Sequence, residues 1–370
     1  MSKRPSNRAE AGGWLIDRTA GATFRFDGRA IPFHPGDTVA SALLAADVRL
    51  VGRSFKLHRP RGVMALGAGE PNALMTLGTG GRMTPNVRAT VVPARAELEV
   101  ASQNRWPSLA WDAFGLLDCV RGLLPAGFYY KTFMWPASQW LRYERVIRRM
   151  AGLGPAPTAP DSDAYAHRHA HCDVLIAGGG PAGLAAAEAA GHAGHDVILA
   201  HSGTAFGGGL HDRADGPHRQ WLADTLTALR AMPNVRLMAN TTVAGYYEHQ
   251  LLTLAERVVD GDDALGSAPA ERFWQVRAER VVIATGALER PMLFADNDRP
   301  GVMLAGAAAS YLWRYGVLAG RAPVLFGADD RIYALARDLL AAGAKVRAVV
   351  DPRPDPGRLA AELALEGVRV

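Results

Sequence analysis

Cysteine is nearly missing from this 370-residue chain, in which Cys119 and Cys172 are the two thiols. Two thiols set far apart cannot supply a four-thiolate zinc or iron–sulfur site, and they outline no disulfide framework. Long apolar runs are missing as well. No uncharged stretch reaches the ~18 residues that a membrane span requires, and the polar start from Met1 to Gly13 carries no apolar signal core. No membrane partner is expected, and the expected compartment is the cytoplasm. Runs of one charge are scarce too. The net charge is +5, and the basic residues gather only loosely, at Lys3, Arg4 and Arg8 and again at Arg53, Lys56, Arg59 and Arg61. Nucleic acid is therefore not an expected partner. There is no Ser/His/Asp elbow, no paired-carboxylate motif and no metal quartet, so no side chain is assigned a catalytic or metal-binding role.

What is present is an ordinary globular composition, 49% apolar and 21% charged, in a chain long enough for two or three domains. The strongest local signal is Cys172-Asp173-Val174-Leu175-Ile176-Ala177-Gly178-Gly179-Gly180-Pro181-Ala182-Gly183-Leu184. A branched apolar run meets a glycine cluster and then an alanine-rich helical pattern, which reads as strand, tight turn and helix N-terminus. In such a unit Gly178 allows the turn, Gly180 lets a pyrophosphate approach the backbone, and Gly183 lets helix and strand pack closely. Pro181 and Ala182 open the helix, whose free N–H groups and partial positive charge suit phosphate.

The next strand, Val197 to Ala200, ends at His201, Ser202 and Gly203. An Asp or Glu is the usual residue at that point, where it binds the ribose hydroxyls. Asp196 stands at the opposite end of the strand and cannot substitute. His201 or Ser202 is left to make one ribose hydrogen bond, and a fold that binds no nucleotide stays open. Gly207, Gly208 and Gly209 form a second loop suited to close backbone approach. Asn234 to Met238 reads as a third strand, with Thr241, Thr242 and Val243 just past its end. Phe273 to Ala278 and Arg280 to Ala284 read as two further strands, the latter running into Thr285 and Gly286. Pro323 to Gly327 opens a second strand–turn–helix unit without the glycine pattern. There Asp329 and Asp330 would repel a pyrophosphate, so one dinucleotide site is expected.

Upstream, Met1 to Gly13 reads as a loose arm. Asp27-Gly28 is a hairpin turn signal, Asp37-Thr38 caps a helix through Val39, Leu43 and Leu44, and short strands follow. A small β-grasp module is the simplest reading. Trp106 to Met150 is rich in aromatics, among them Trp111, Phe114, Phe128, Tyr129, Tyr130, Phe133, Trp135, Trp140 and Tyr143, with Pro125 and Pro136 dividing it into short helices. It is either a packing strap or a surface for a partner subunit, with Lys131, Arg148 and Arg149 available to an anionic group. Gly152 to His171 reads as a linker. Its alternating His167, His169 and His171 lack supporting metal ligands and are expected to be solvent-exposed.

Several stretches resemble one family, the α subunit of heterotetrameric bacterial sarcosine oxidase. They are Pro35 to Leu44, Gly52-Arg53-Ser54-Phe55-Lys56-Leu57-His58-Arg59-Pro60-Arg61-Gly62, Glu70-Pro71-Asn72-Ala73, Gly127 to Pro136 and Pro300 to Ala308. The Gly207–Gly209 loop and the Ala-Thr-Gly turn at Thr285 and Gly286 resemble those of two-dinucleotide, disulfide-reductase-like flavoproteins, in which a backbone contact near Val243 would reach adenine. The resemblance implies an α/β protein with a small α+β N-terminal module. A ferredoxin-like β-grasp domain, here without cluster cysteines, would occupy residues 14–100. A helical strap and linker would follow at 101–170. A Rossmann-like doubly wound dinucleotide-binding domain would fill 171–300, and the start of a second unit 301–370. The basic loop from Arg53 to Arg61 is expected to be salt-bridged rather than to bind phosphate.

The family implies oxidative demethylation of sarcosine, a small amine, with oxygen and folate as acceptors. NAD would sit on this chain, flavins on or against a β subunit, and smaller subunits would complete a hetero-oligomer. No Fe–S cluster is expected, and the family's large subunit continues beyond the equivalent of Val370. Two other readings remain: an FAD-binding subunit of an opine or amino-acid oxidase, and a non-catalytic scaffold with an empty nucleotide fold.

Overall fold

The computed structural model describes residues 6–123, 127, 135–150, 153–213, 216–258 and 268–370. The chain divides into two compact units, Met1–Pro160 with Arg290–Val370, and Asp161–Glu289.

In the first unit, β1 (Ala22–Phe26) and β2 (Arg29–Phe33) form a hairpin about Asp27 and Gly28. Helix α1 (Val39–Ala45) starts at Thr38, whose side chain accepts from the Ser41 N–H while Ser41 reciprocates. That reciprocal cap satisfies donors which the helix cannot pair internally. Then come a short pair, β3 (Gly52–Arg53) and β4 (Pro60–Arg61), followed by β5 (Leu74–Leu77), β6 (Thr84–Arg88) and β7 (Glu99–Ser102). The main sheet has the order β2-β1-β7-β5-β6. β7 lies parallel to β1, and α1 packs its apolar face with Phe24, Ile31 and Met75 into one core. This is the expected β-grasp module.

The arm is not loose where it is described. The Asn7 N–H donates to Ala45 O at 2.9 Å and its side-chain amide to Leu44 O at 3.1 Å. The Ala9 N–H donates to Gly316 O at 2.8 Å, and Arg8 pairs with buried Asp37. The carbonyls at a helix C-terminus lack intrahelical donors, and the polar arm supplies them. Its composition reads as disorder because that service shows only in three dimensions.

Helix α2 (Trp140–Met150) closes the aromatic segment. Trp106, Trp111, Leu116, Trp135, Leu141 and Val146 are exposed along it. Pro125, Phe128, Tyr129, Tyr130, Lys131 and Phe133, and with them most of the Gly127–Pro136 motif, lie outside the described residues, as does the side chain of Arg149.

The second unit contains β8 (Tyr165–Ala177), α3 (Pro181–His192), β9 (Val197–Ala200), α4 (Gly216–Ala231), β10 (Val235–Met238), β11 (Thr241–Tyr247), β12 (Leu251–Arg257) and β13 (Glu271–Ile283). The sheet order is β10-β9-β8-β13-β12-β11, parallel from β10 to β13 and antiparallel beyond. The C-terminal part of β8, Val174 to Ala177, and all of β9 are buried on both faces. Ile176 and Leu199 pack with Leu184 and Leu229 of the helices, while Leu175 and Ile198 pack with Leu252 and Val276.

Two expectations are corrected here. Residues 165–171, taken as linker, are strand, because each pairs with a residue of 271–277. The two strands expected at 273–278 and 280–284 are one, since the same ladder continues past Glu279 to Ile283. His167, His169 and His171 are exposed on β8, His167 meeting Phe273 edge-on at 5.8 Å. Among the described residues no three His, Cys, Asp or Glu side chains gather as a metal site.

The chain then returns to the first unit with α5 (Ala305–Tyr315), β14 (Val324–Phe326), α6 (Arg331–Ala341), β15 (Ala348–Val350) and α7 (Arg358–Leu365). α5 serves two cores. Ala307, Tyr311 and Tyr315, four residues apart and so on one face, join the β-grasp core. Leu312 and Trp313 turn to the second core, with Ile332, Leu335, Val349 and Leu363. The third strand expected at Val368 to Val370 is reduced to a single bridge between Arg369 and Ala348. No helix among the described residues is long and apolar enough to cross a membrane.

Candidate functional site

The glycine turn joins the C-terminal end of β8 to α3. Gly178 has φ +114°, and a Cβ there would overlap the Ala284 carbonyl. A Cβ on Gly183 would overlap the Gly178 carbonyl. Both glycines are therefore demanded by close backbone approach rather than by composition. Gly180 is the N-cap of α3 and brings no side-chain cap, Pro181 occupies the first helical turn, and the first intrahelical bond is Leu184 N–H to Gly180 O at 2.9 Å. The N–H groups of Ala182 and Gly183 precede that bond, at the positive end of the helix dipole. A Cβ on Gly180 would meet nothing within 4 Å, nor would one on Gly286. The turn is walled beneath by backbone and open above, as a pyrophosphate cradle must be.

Second-loop residues close one side of the turn. The Gly207 N–H donates to Gly179 O at 2.8 Å, and a Cβ on Gly208 would lie 3.1 Å from the Gly180 Cα. His211 fixes this loop through Nε2 and the Phe206 carbonyl at 2.8 Å. Gly209 lies exposed in the next turn. Thr285 and Gly286 follow Ala284, whose N–H donates to Ala177 O at 2.9 Å. The structure thus brings together Gly178, Gly180, Pro181, Ala182, Gly183, Gly208 and Thr285.

His201 stands at the end of β9. Its Nδ1 accepts the Gly179 N–H at 3.3 Å, and its ring lies 5.4 Å from that of Phe206. An Nδ1 that accepts is unprotonated, so the imidazole bonded to the turn carries no positive charge in this arrangement. Ser202 is exposed, and Gly203 O accepts the Asn240 N–H at 2.9 Å. Val243 is set apart from this group. It lies opposite Leu254 in β11 and packs against the core beneath, whereas Thr241 donates its N–H to His201 O at 2.8 Å. Phe206, His211 and Ala284, which shape the turn, escape a reading of the sequence. The small Ala284 just before Thr285 was the one available signal, because a close backbone crossing requires a small residue.

The second strand–turn–helix copy is built differently. Asp329 pairs with Arg331 at 2.6 Å and Asp330 with Arg353 at 2.8 Å. The Arg353 guanidinium and the Tyr333 hydroxyl both donate to Asp351, at 2.7 Å each, and hydrogen bonding from Arg353 first of all holds that carboxyl well below the usual carboxylate range. The basic loop is likewise paired. Arg59 reaches Asp298 at 2.9 Å, Arg61 reaches it at 2.7 Å, and Arg53 donates to Leu109 O at 2.7 Å.

Comparison with known proteins agrees with this layout. Residues 172–313 match the model of the pyridine nucleotide-disulphide oxidoreductase family, and residues 20–105 match that of the 2Fe-2S iron-sulfur cluster binding domain. No cysteine falls within 20–105, so the residues present do not fit a cluster. The L-proline dehydrogenase of P. horikoshii superposes with a TM-score of 0.59 at 18% identity, over 94% of this chain and 55% of that one, which is a likeness of fold. An opine oxidase subunit of Agrobacterium tumefaciens (strain Ach5) is 32% identical over 195 residues, 50% of this chain and 38% of its own. The sarcosine oxidase α subunit of Rhizobium meliloti (strain 1021) is 52% identical over 349 residues, 93% of this chain. The chain spans 35% of the length of that relative. A Rossmann-like unit preceded by a cysteine-free ferredoxin-like module, with that identity across nearly its whole length, places the chain in the sarcosine oxidase α-subunit family.

Proposed function

We propose that this chain is the nucleotide-bearing part of a sarcosine oxidase-like α subunit. NAD lies with its pyrophosphate at the N-terminus of α3, and the amine is oxidised on flavins held on or against a partner β subunit. The observation that carries the reading is the 52% identity to a sarcosine oxidase α subunit. The open turn at Gly180 and the uncapped N–H groups of α3 support a phosphate ligand. Gly178, Gly183, Gly208, Gly209, Thr285 and Gly286 would line the phosphate side. His201, Ser202 and Gly203 would face the ribose, and the main chain near Val243 the adenine. A bound flavin supplies the hydride chemistry, and this chain's part is binding and orientation. Domain limits at 14–100, 101–170, 171–300 and 301–370 belong to the same reading, as does a cytoplasmic compartment. The exposed Trp111, Leu116, Trp135 and Leu141 give the 101–170 segment the aromatic and apolar face that a contact between subunits uses.

The test is to denature the purified protein and identify the released nucleotide, then to measure oxygen uptake with sarcosine on the complex that co-purifies. NAD released from this chain, with sarcosine-dependent uptake, is the expected result. The similarity to an opine oxidase favours a second reading, in which the site holds FAD. Release of FAD, with uptake on an opine and none on sarcosine, would establish it. A chain that releases no nucleotide at any purity would be a scaffold.

A further inference from the structure

Glu70 is a carboxylate buried to 1% exposure, with a backbone cradle of its own. One oxygen accepts the N–H groups of Met64 at 2.8 Å and Ala65 at 2.7 Å. The other accepts those of Asn72 at 2.6 Å and Ala73 at 3.1 Å. The turn Gly67–Gly69 lies between the two pairs of donors in sequence. Contacts from outside pin the loop, among them the Arg88 Nε–H, which donates to Glu70 O at 3.0 Å, and the Leu304 N–H, which donates to Met64 O at 2.9 Å. Buried Thr90 donates its hydroxyl to Gly67 O at 2.6 Å, the Ala89 N–H donates to Ala73 O at 2.9 Å, and the Tyr311 hydroxyl of α5 donates to Ala65 O at 3.2 Å. A ring of converging N–H groups is an anion site, and burying a charge demands such full hydrogen bonding.

The spacing of this loop identifies the anion it is shaped for. Ala65, Glu70 and Ala73 have the C-x4-C-x2-C interval by which plant-type modules hold a [2Fe–2S] cluster, and they lie inside the segment that matches a cluster-binding domain. A fourth ligand comes from elsewhere in such modules. Here two side-chain oxygens from outside the loop reach it, those of Thr90 and Tyr311, and Thr90 is the one that lies within the matched segment. Thiolate-bound clusters are anionic and take hydrogen bonds at sulfur, so a loop built for one turns N–H groups inward. Once the cysteines are missing, those donors stay buried and need another acceptor.

We infer that the Glu70 carboxylate occupies the place of the iron–sulfur cluster, as a covalently attached anion that keeps the cluster loop folded and makes the module redox-silent. This holds whichever nucleotide the other unit binds. The alternative is that Glu70 is a loop carboxylate in a site unrelated to a cluster.

Two sets of variants in the complete protein decide it. Glu70→Ala vacates the cradle, and thermal unfolding is followed with and without formate. The expected result is a fall in Tm of roughly 10 °C or more, part of which 0.1 M formate restores (concentration on the order of a weak small-ligand Kd), while the protein with Glu70 and the Glu70→Gln variant gain nothing. In the second set, A65C/E70C/A73C/T90C is reconstituted anaerobically with iron and sulfide and compared with A65C/A73C/T90C, which keeps Glu70. The four-cysteine protein is expected to show the visible absorption and, after reduction, the electron paramagnetic resonance of one [2Fe–2S] centre, and the three-cysteine protein neither. A folded Glu70→Ala protein indifferent to formate, or a four-cysteine protein that takes up no iron and sulfide, overturns the inference. If Glu70→Ala does not fold, the cysteine proteins decide alone.

Discussion

Two backbone nests in this molecule meet the same requirement in opposite ways. The loop from Met64 to Ala73 encloses a carboxylate of its own, with four N–H groups on two buried oxygens. The turn from Gly178 to Gly183 brings no side-chain cap to α3 and leaves the space beside Gly180 open. An N–H sealed inside a protein must find its acceptor within the chain, whereas one at an open cleft can wait for water or a ligand. The difference separates a nest already filled by its own chain from an open cleft. It also predicts where a substitution will cost stability and where it will cost affinity.

The comparison breaks most sharply at Glu70. Its replacement by Ala leaves four donors unmet, three of them buried at about 1–3 kcal/mol each before relaxation, so a loss of at least about 3 kcal/mol is expected in urea unfolding. If that variant were as stable as the parent, Glu70 would not be filling a nest. Gly183→Ala comes next. Its Cβ would press on the Gly178 carbonyl, with an expected cost of about 1–3 kcal/mol, and the released nucleotide should disappear from the purified variant. Retention of nucleotide at the parent level would show that the turn is not the cradle.

His201→Asp sharpens the comparison from the other side. It removes the Nδ1 acceptor from Gly179 and offers the carboxylate that ribose hydroxyls prefer at this strand end. A gain of about tenfold in NAD affinity, or ~1.4 kcal/mol, is expected by calorimetry. An unchanged or weaker Kd would move the ribose elsewhere.

The smallest effect is a difference between thiols. Cys119 is exposed in the first unit, and Cys172 is buried in β8 of the second. Burial, and then the neighbouring Asp173, push the Cys172 thiol up to about 11. Below that pH the protonated, unreactive form dominates, and the thiolate fraction rises as pH approaches it. At pH ~8 one fast-reacting thiol per chain is expected with a disulfide reagent, and a second only after unfolding. Equal rates would mean that β8 opens readily.

The hairpin at Asp27-Gly28, the cap at Thr38, the buried strand Val197–Ala200 and the glycine turn were all legible, because each rests on interactions within a few residues. The run Tyr165 to His171 was not. Its polar, histidine-rich composition resembles a linker, and only pairing with residues 271–277 makes it strand. The arm before Gly13 was misleading for the same reason, since its partners are the far ends of α1 and α5. His201 could be seen as a departure from the expected acid, but its bond to Gly179 could not.

The sequence by itself determined the order of the modules, the impossibility of a four-cysteine cluster and the location of the glycine turn. These follow from residue type and short spacing, which act locally. Only the tertiary structure decided that β8 begins at Tyr165, that α5 belongs to two cores at once, and that Glu70 sits inside the loop where a cluster would be. Each of those depends on groups distant in the chain meeting in a buried place, where every donor and every apolar face has to find its partner.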